Sequence, residues 1–296
     1  MTSTPRLART QFGGGSTLFP GLIKGGSTSK VMKPMMEETE GLLEAMEGLG
    51  LGYLELLLEP GFLYPQEIGG AERTRLRRAF QARGIRPTLH ASFYNINLAS
   101  LNPLIRKASL HQLLECLRFA HDLEAEVLIV HAGDLPGDYP QEFLLLAREK
   151  LLSSLEEALK EAEELGVTLA LENKARGRNR GLVQSPEEHL ELVEVLASPN
   201  CRIALDVGHA YTFGFDPREY LEEVLPYLAE VHLHDNDGSE DQHRPLGEGT
   251  IPFKPLLSTL NESFSGPLIL EVMTLEGLEQ SLAYLHLVRD DATKCI

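Results

Sequence analysis

The chain has 296 residues, a formal net charge of −17 and 43% hydrophobic residues. This length suits one α/β barrel, and the hydrophobic content is enough for a sizeable core. The strong negative charge disfavours non-specific binding to nucleic acid or to anionic membranes. Three widely spaced cysteines imply neither a disulfide framework nor a cysteine zinc motif.

The first thirty residues are rich in Gly, Ser and Thr and predict only a weak first strand, near residues 7–12. We assign residues 1–30 to the same domain as residues 31–296, because no linker or shift in composition separates them. The polar start MTSTPRLART lacks the apolar region of a secretion signal, and no apolar run is long enough to span a membrane. We therefore expect a cytoplasmic protein that does not bind membranes.

From Val31 onward, helical patterns alternate with short apolar runs. A helix from Val31 to a glycine stop precedes the strand GYLELLLEP. Strands that alternate with helices predict a parallel sheet with right-handed crossovers, and the weak first strand brings the number of units to eight. The later helices are predicted at about 71–83, 101–123, 140–165, 186–197, 217–227, 253–262 and 275–289.

Six of the apolar runs end in a residue type that binds metals. In a (β/α)₈ barrel all strand carboxyl ends face one mouth, so these side chains are expected to converge there. An open doubly wound sheet would place its site at one switch point, so six such strands favour the closed barrel. The runs are PTLHAS (His90), VLIVHAG (His131), VTLALEN (Glu172), RIALDVGH (Asp206), AEVHLHD (His232) and LILEV (Glu271).

Three further residues, His209, Asp241 and His243, follow the strands that end at Asp206 and His232. Imidazole and carboxylate together suit Zn, Mn, Fe or Co, and carboxylate-rich parts of such sites accept Mn or Mg. A single histidine at a strand end is more often a hydrogen-bonded polar residue than a ligand. The set of nine favours a metal site, because a carboxylate after a buried apolar run is costly without a partner. Strand alternation also places His234 on the face of His232, as a supporting or substrate-contacting residue.

Together these segments resemble the xylose isomerase-like TIM-barrel superfamily, in particular AP endonuclease family 2. That group contains endonuclease IV and many sugar phosphate isomerases and epimerases. The resemblance covers about residues 50–290, and its most specific parts are the D-x-x-H-A pair and the DQH…LGEGTI loop. It rests on LHASFYNINLAS, VHAGD, LALEN, LDVGHAYTFGFD, VHLHDNDGSEDQHRPLGEGTI and LILEV.

The endonuclease IV branch of this family implies three metal ions held by all nine residues. By that resemblance, His90, His131 and Glu172 would hold one ion. A second would be held by Asp206, His232 and Glu271, with Glu172 bridging the two, and a third by His209, Asp241 and His243. Such a cluster makes a hydroxide nucleophile and neutralises a phosphodiester during cleavage.

The isomerase and epimerase branch implies a single divalent ion, Zn, Mn, Co or Mg. By that resemblance, Glu172, Asp206, His232 and Glu271 would hold it. Glu172 and Glu271 would then exchange a proton with the substrate carbon through an enediolate-like intermediate, and His209 would contact a substrate oxygen.

Several features favour the sugar enzyme over the endonuclease. Glu55 in YLELLLEP resembles the acidic second strand of the isomerase group, which makes it a candidate substrate contact. The following loop EPGFLYPQEIGG is short and offers no Arg or Lys. The acidic charge gives no broad duplex-binding face, and the loop between His232 and Asp241 is short. Against this, Phe93 and Tyr94 could wedge between bases, although a sugar-stacking role suits them equally.

The loop after Glu172 reads NKARGRNRG and is strongly basic. Its cations, Lys174, Arg176, Arg178 and Arg180, predict an anionic substrate such as a phosphate or carboxylate, unless they pair with the protein's own acidic surface. We predict a sugar or sugar-phosphate isomerase or epimerase, which could form a homo-oligomer. An endonuclease IV-like phosphodiesterase, which alone would bind nucleic acid, and a barrel that binds metal or sugar without turnover are the alternatives.

Overall fold

The computed structural model describes residues 11–15 and 32–294, and it shows a closed barrel of eight parallel strands. The predicted (β/α)₈ barrel is therefore confirmed. The barrel strands are β1 (Phe12–Gly15), β2 (Tyr53–Leu57), β3 (Arg86–His90), β4 (Val127–His131), β6 (Thr168–Glu172), β8 (Cys201–Asp206), β9 (Leu228–Leu233) and β10 (Leu268–Leu270). Outside the barrel, β5 (Asp134–Pro136) and β7 (Asn179–Gly181) form an antiparallel pair.

Helices cover the outside of the barrel. Local signals fix their ends: the Asn102 side chain accepts a hydrogen bond from the Leu104 backbone at the start of one helix, and Gly166 ends another in the left-handed conformation. Among the described residues, no helix is both long and apolar enough to cross a membrane. The helices are α1 (Met32–Leu49), α2 (Gly70–Arg83), α3 (Pro103–Leu123), α4 (Phe143–Leu165), α5 (Pro186–Leu196), α6 (Val207–Thr212), α7 (Pro217–Val224), α8 (Phe253–Ser263) and α9 (Leu275–Lys294).

The first strand differs from its predicted position near residues 7–12. In the structure β1 runs through FGGG at Phe12–Gly15, and residues 7–10 lie outside the described part of the chain. The glycines are compatible with a strand because the neighbouring strand packs very closely: a Cβ on Gly13 would lie 2.6 Å from Tyr53 Cβ. This tertiary constraint overrides the low strand propensity of glycine.

Three further elements were not predicted. The basic loop after Glu172 contains β7, which pairs with β5, and the segment after Asp206 forms the short helix α6. All three elements follow the carboxyl ends of barrel strands, where they extend the rim of the mouth.

The inner face of the barrel is divided between apolar and polar side chains. Alternate residues of each strand point inward. On one side these are small or branched apolar residues that form a separate buried cluster, including Ile129, Ala170 and Ala204. On the other side Glu55 and Glu230 are buried inside the barrel. The polar side lies beneath the mouth, so it supports the candidate site.

The close contact at Gly13 predicts a large effect of adding one methyl group. We expect Gly13→Ala to destabilise the protein by about 1–3 kcal/mol, because the new Cβ would overlap Tyr53 and Ile269. At Gly41, within α1, an added Cβ would meet no atom within 4 Å, so Gly41→Ala should stabilise by roughly 0.5–1 kcal/mol. Urea unfolding of both variants measures the difference; equal effects would contradict the packing of β1.

Candidate metal centre

The barrel strands bring the predicted strand-end residues to one mouth. Four of them, His90, His131, Glu172 and Asp206, are the last residues of β3, β4, β6 and β8. His232 lies one residue before the end of β9, and Glu271 directly follows β10. Since all these strands are parallel, the six side chains surround one volume at their carboxyl ends.

The central group consists of three carboxylates around one imidazole ring. His232 Nδ1 lies 3.0 Å from Glu172 Oε1, 3.4 Å from Glu271 Oε2 and 3.9 Å from Asp206 Oδ2. Glu172 and Asp206 are almost completely buried, with 2% and 0% exposure. Within the described chain, no lysine or arginine forms an ion pair with any of the three carboxylates. Four ligand atoms, all within 4.8 Å of one another, could therefore hold a cation.

Glu172 also faces a second group with its other oxygen. Its Oε2 atom lies 2.6 Å from His131 Nε2 and 3.3 Å from His90 Nε2. The ring of Phe93 stacks on His131 with a centroid distance of 5.0 Å. One carboxylate thus connects two groups of possible ligands, in the bridging arrangement that the endonuclease resemblance implies.

A third group forms around Asp241. Its Oδ2 atom lies 3.2 Å from His209 Nε2 and 3.1 Å from His243 Nε2. His234 completes this group, with Nε2 3.6 Å from Asp241 Oδ1 and 3.1 Å from Asp206 Oδ1. From the sequence His234 ranks below His232, but its geometry makes it a further potential ligand. In the sequence, the two-residue spacing between His232 and His234 indicates that both side chains lie on the same face.

The hydrogen bonds of the histidines show that these groups fit metal ions. Nδ1–H of His90, His209 and His243 donates to a backbone oxygen, that of Ala91, Asn173 and Glu271 respectively. The Nε2 atom of each ring then faces a carboxylate with a lone pair. Two electron-rich atoms in contact need a proton or a cation between them, and a divalent cation bound by imidazole and carboxylate meets this need.

Asn173 fixes the position of Asp206 and His209. Its amide forms reciprocal hydrogen bonds with the Asp206 backbone, Nδ2 donating to the carbonyl and Oδ1 accepting from the amide, each at 2.9 Å. Asp206 Oδ1 in turn accepts the His209 N–H and caps α6. Asn173 was not predicted from the sequence, although it directly follows Glu172 in the LEN motif.

The loop that carries Asp241 and His243 is held by a buried carboxylate. Asp235 accepts hydrogen bonds from the backbone of Asn236, Gly247 and Ile251. His243 adopts the left-handed conformation with φ of 46°, and its ring stacks on His234 at 4.1 Å. Since this conformation is unfavourable for a non-glycine residue, the surrounding contacts determine where the His243 ring points.

Electrostatics in the metal-free protein place protons where cations would bind. Burial alone lowers the pKa of His90, but Glu172 outweighs this effect and raises the pKa to about 9. Burial likewise lowers the pKa of His243, and the hydrogen bond with Asp241 outweighs it to give a value of about 10. Burial raises the pKa of Glu271, yet the charge of His232 holds it well below the usual range.

The predicted substrate contacts lie in different surroundings. Glu55 is 4% exposed and lies inside the barrel beneath His232, away from the open mouth. Lys174 pairs with Asp134, as the alternative interpretation of the basic loop expected. Arg176 is exposed, with its guanidinium 5.4 Å from the Phe213 ring centroid.

Arg178 and Arg180 extend the rim beside the mouth. Both are exposed, and neither forms an ion pair with a described residue. Next to them a groove of about 610 Å³ is lined in part by Phe93, Tyr139 and Asn179. Phe93 and Asn179, the residue between the two arginines, border space that a ligand could occupy, and the role of Phe93, Arg178 and Arg180 in binding stays a prediction.

Comparison with known proteins agrees with this fold. The family model described as xylose isomerase-like TIM barrel matches residues 43–287, and the chain belongs to that family. It is 35% identical over 213 residues to an uncharacterized protein of Methanocaldococcus jannaschii, covering 68% of this chain and 71% of that protein.

Two further similarities represent the two enzymatic branches. The chain is 26% identical over 205 residues to a probable endonuclease 4 of Persephonella marina, covering 64% of this chain and 70% of that protein. A solved structure described as a D-tagatose 3-epimerase-like protein matches with a TM-score of 0.78 and 26% identity, covering 96% of this chain and 98% of that one. The predicted family is thus confirmed.

The raised histidine pKa values predict how the metal-free protein responds to pH. A histidine whose pKa rises from 6.5 to about 9 or 10 on folding stabilises the protein fully below pH 6.5, and this contribution disappears as the pH passes those values. In EDTA, we expect the thermal unfolding midpoint to fall between about pH 7 and 10. Metal affinity should rise over the same range, because ligand imidazoles must lose their protons.

The control for this prediction is His243→Gln, which removes one of the rings whose pKa is raised. Its unfolding midpoint in EDTA should depend less on pH than that of the wild type. A wild-type midpoint that stays constant over this range would contradict the protonated state of His90 and His243.

Proposed function

We propose that this protein is a divalent-metal-dependent sugar or sugar-phosphate isomerase or epimerase. The observation that carries the proposal is the placement of Glu172 and Glu271 in one site, 3.0 and 3.4 Å from His232 Nδ1. Epimerisation by two bases, one for each face of the substrate carbon, uses two such carboxylates in one site. The similarity to an epimerase-like structure over 96% of the chain supports the same reaction class.

Glu172, Asp206, His232 and Glu271 would hold the ion. When bound, the divalent ion would polarise the substrate carbonyl and its neighbouring hydroxyl. The donor set suits Mn, Co, Zn or Mg, because three carboxylates and one imidazole satisfy several divalent metals.

The two glutamates perform the proton transfer. One carboxylate would remove the proton from the substrate carbon, and the other, after taking a proton from solvent, would return it, through an enediolate-like intermediate. Burial raises the pKa of both groups, but the neighbouring histidines outweigh it, so both are ionised in the metal-free protein and either could act as the base. His209, which is 8% exposed and fixed by Asn173, would contact a substrate oxygen.

A phosphate on the substrate would account for the basic rim. Arg178 and Arg180 are exposed beside the mouth in a chain with a net charge of −17. A guanidinium group binds phosphate oxygens through two parallel hydrogen bonds. We therefore favour a sugar phosphate over a neutral sugar as the substrate.

The second candidate is an endonuclease IV-like phosphodiesterase. One observation favours it: Glu172 directs its two oxygens at two separate groups, and a third group around Asp241 is complete. A single-ion isomerase does not need this arrangement. The acidic charge and the short loop after β2 without Lys or Arg make nucleic acid a less suitable substrate.

Glu271→Gln tests the isomerase. We expect a decrease of about 10²–10⁴-fold in kcat, because the amide cannot accept the proton, with the metal still bound. Incorporation of solvent deuterium into the product should be lost in parallel. Glu279→Gln, an equal change of charge at an exposed position of α9, is the control. Full turnover by Glu271→Gln would disprove this role.

Metal content and DNA incision separate the two candidates. For the isomerase we expect one exchangeable Mn, Co, Zn or Mg ion and no incision of a duplex with an abasic site at excess enzyme. About three tightly bound zinc ions together with incision at that site would identify the phosphodiesterase. Elemental analysis and a gel-based incision assay provide the two measurements.

A further inference from the structure

Two glutamates lie inside the barrel beneath His232, on the side away from the candidate metal centre. Glu55 is on β2 and Glu230 on β9, with 4% and 0% exposure. His232 Nε2 lies 3.2 Å from Glu55 Oε2 and 3.4 Å from Glu230 Oε1. The Thr88 hydroxyl donates to Glu230 Oε1, and the two carboxyl groups also contact each other.

His232 differs from three other histidines of the site in the partner of its outer nitrogen. In His90, His209 and His243 a backbone carbonyl accepts the N–H that points away from the ligand group. His232 is reversed, since its Nδ1 faces Glu172 and its Nε2 points into the barrel. There the carboxyl groups of Glu55 and Glu230 occupy the place of the carbonyl.

We propose that Glu55 and Glu230 are positioning residues that keep the ring proton of His232 on Nε2 and thereby present the Nδ1 lone pair to the metal. This inference rests on the proposed function, since it assigns His232 to a metal. A carboxylate partner on the outer nitrogen of a metal-binding histidine fixes its tautomer and ring orientation and raises its basicity. Glu55 thus supports the site from below, in place of the substrate contact predicted for it.

Packing alone does not account for these two side chains. The inner wall next to Glu230, on β4, β6 and β8, is formed by Ile129, Ala170 and Ala204, so apolar residues fill the barrel at this depth. Buried carboxyl groups that lack full hydrogen bonding destabilise a fold, and Glu55 Oε2, Glu230 Oε2 and His232 Nε2 have no well-aligned hydrogen bond in the described chain, although Glu55 Oε2 lies in ion-pair contact with His232 Nε2. Replacing them with apolar side chains of similar length should therefore leave folding intact.

The test compares metal affinity with stability in Glu230→Met, Glu55→Met and the double variant. We expect zinc affinity, measured by chelator competition, to fall about 10–100-fold, while the unfolding midpoint of the metal-free protein stays equal or rises. Glu230→Gln should bind zinc more tightly than Glu230→Met, since its amide oxygen can still accept the Nε2–H. A merely structural role would lower the unfolding midpoint and leave affinity unchanged.

Glu59→Gln is the matched control. Glu59 is also buried, at 2% exposure, but it accepts hydrogen bonds from the Phe93 and Tyr94 backbone and has no contact with His232. We expect the Glu59→Gln variant to be less stable than the wild type and to keep its zinc affinity. This is the reverse of the pattern expected for Glu230→Met.

Nitrogen-15 NMR of the metal-free protein at alkaline pH, where the His232 ring is neutral, reports the tautomer directly. The wild-type His232 ring should carry a proton on Nε2, and the double methionine variant should show a mixture of tautomers. Unchanged zinc affinity and tautomer in the double variant would overturn the inference. A second result would also overturn it: the wild type binds one additional ion, and the affinity of the candidate metal centre is unchanged in the double variant. A cation would then occupy the place between the two carboxyl groups.

Metal binding by the wild type tests the proposed function, and the NMR comparison tests the inference, so the two can be contradicted separately. If the wild type bound no divalent metal, the proposed function would fail. The NMR comparison would then show whether the carboxyl pair fixes the ring, and loss of that effect would overturn the inference independently.

Discussion

The site depends on the convergence of three buried carboxylates on the ring of His232. Glu172, Asp206 and Glu271 reach this ring from three different strands, and no lysine or arginine of the described chain pairs with them. Such a concentration of negative charge is stable only if protons or cations compensate it. Asn173 and Asp235 hold the surrounding backbone in place, so the charges cannot relax by moving apart.

Much of this arrangement could be predicted from the sequence because of a simple geometric rule. Residues at the ends of parallel strands meet at one mouth, so runs such as VTLALEN and RIALDVGH placed Glu172 and Asp206 together without any structure. The grouping of the ligand-type residues came from the family resemblance, and the structure brings them together in those groups. Their function as metal ligands stays a prediction.

Other features depend on contacts between distant residues. The first strand begins at Phe12 because Gly13 packs directly against Tyr53, and no local pattern shows that contact. The pair of β5 and β7 gives Lys174 its partner Asp134, which reduces the charge of the basic loop. Glu230 could have been found, since it alternates with His232 and His234 along β9, but an isolated acidic residue in a strand usually faces solvent.

The two oxygens of Glu172 also bear on how such sites diverge. One oxygen belongs to the central group and the other to the pair His90 and His131. Substitutions at positions 90 and 131 would together release that oxygen and leave the contacts of the central group in place. In a barrel with this arrangement, a site for one ion and a site for two would therefore differ only at the edge of a shared carboxylate, which would give evolution a short path between proton transfer and phosphodiester cleavage.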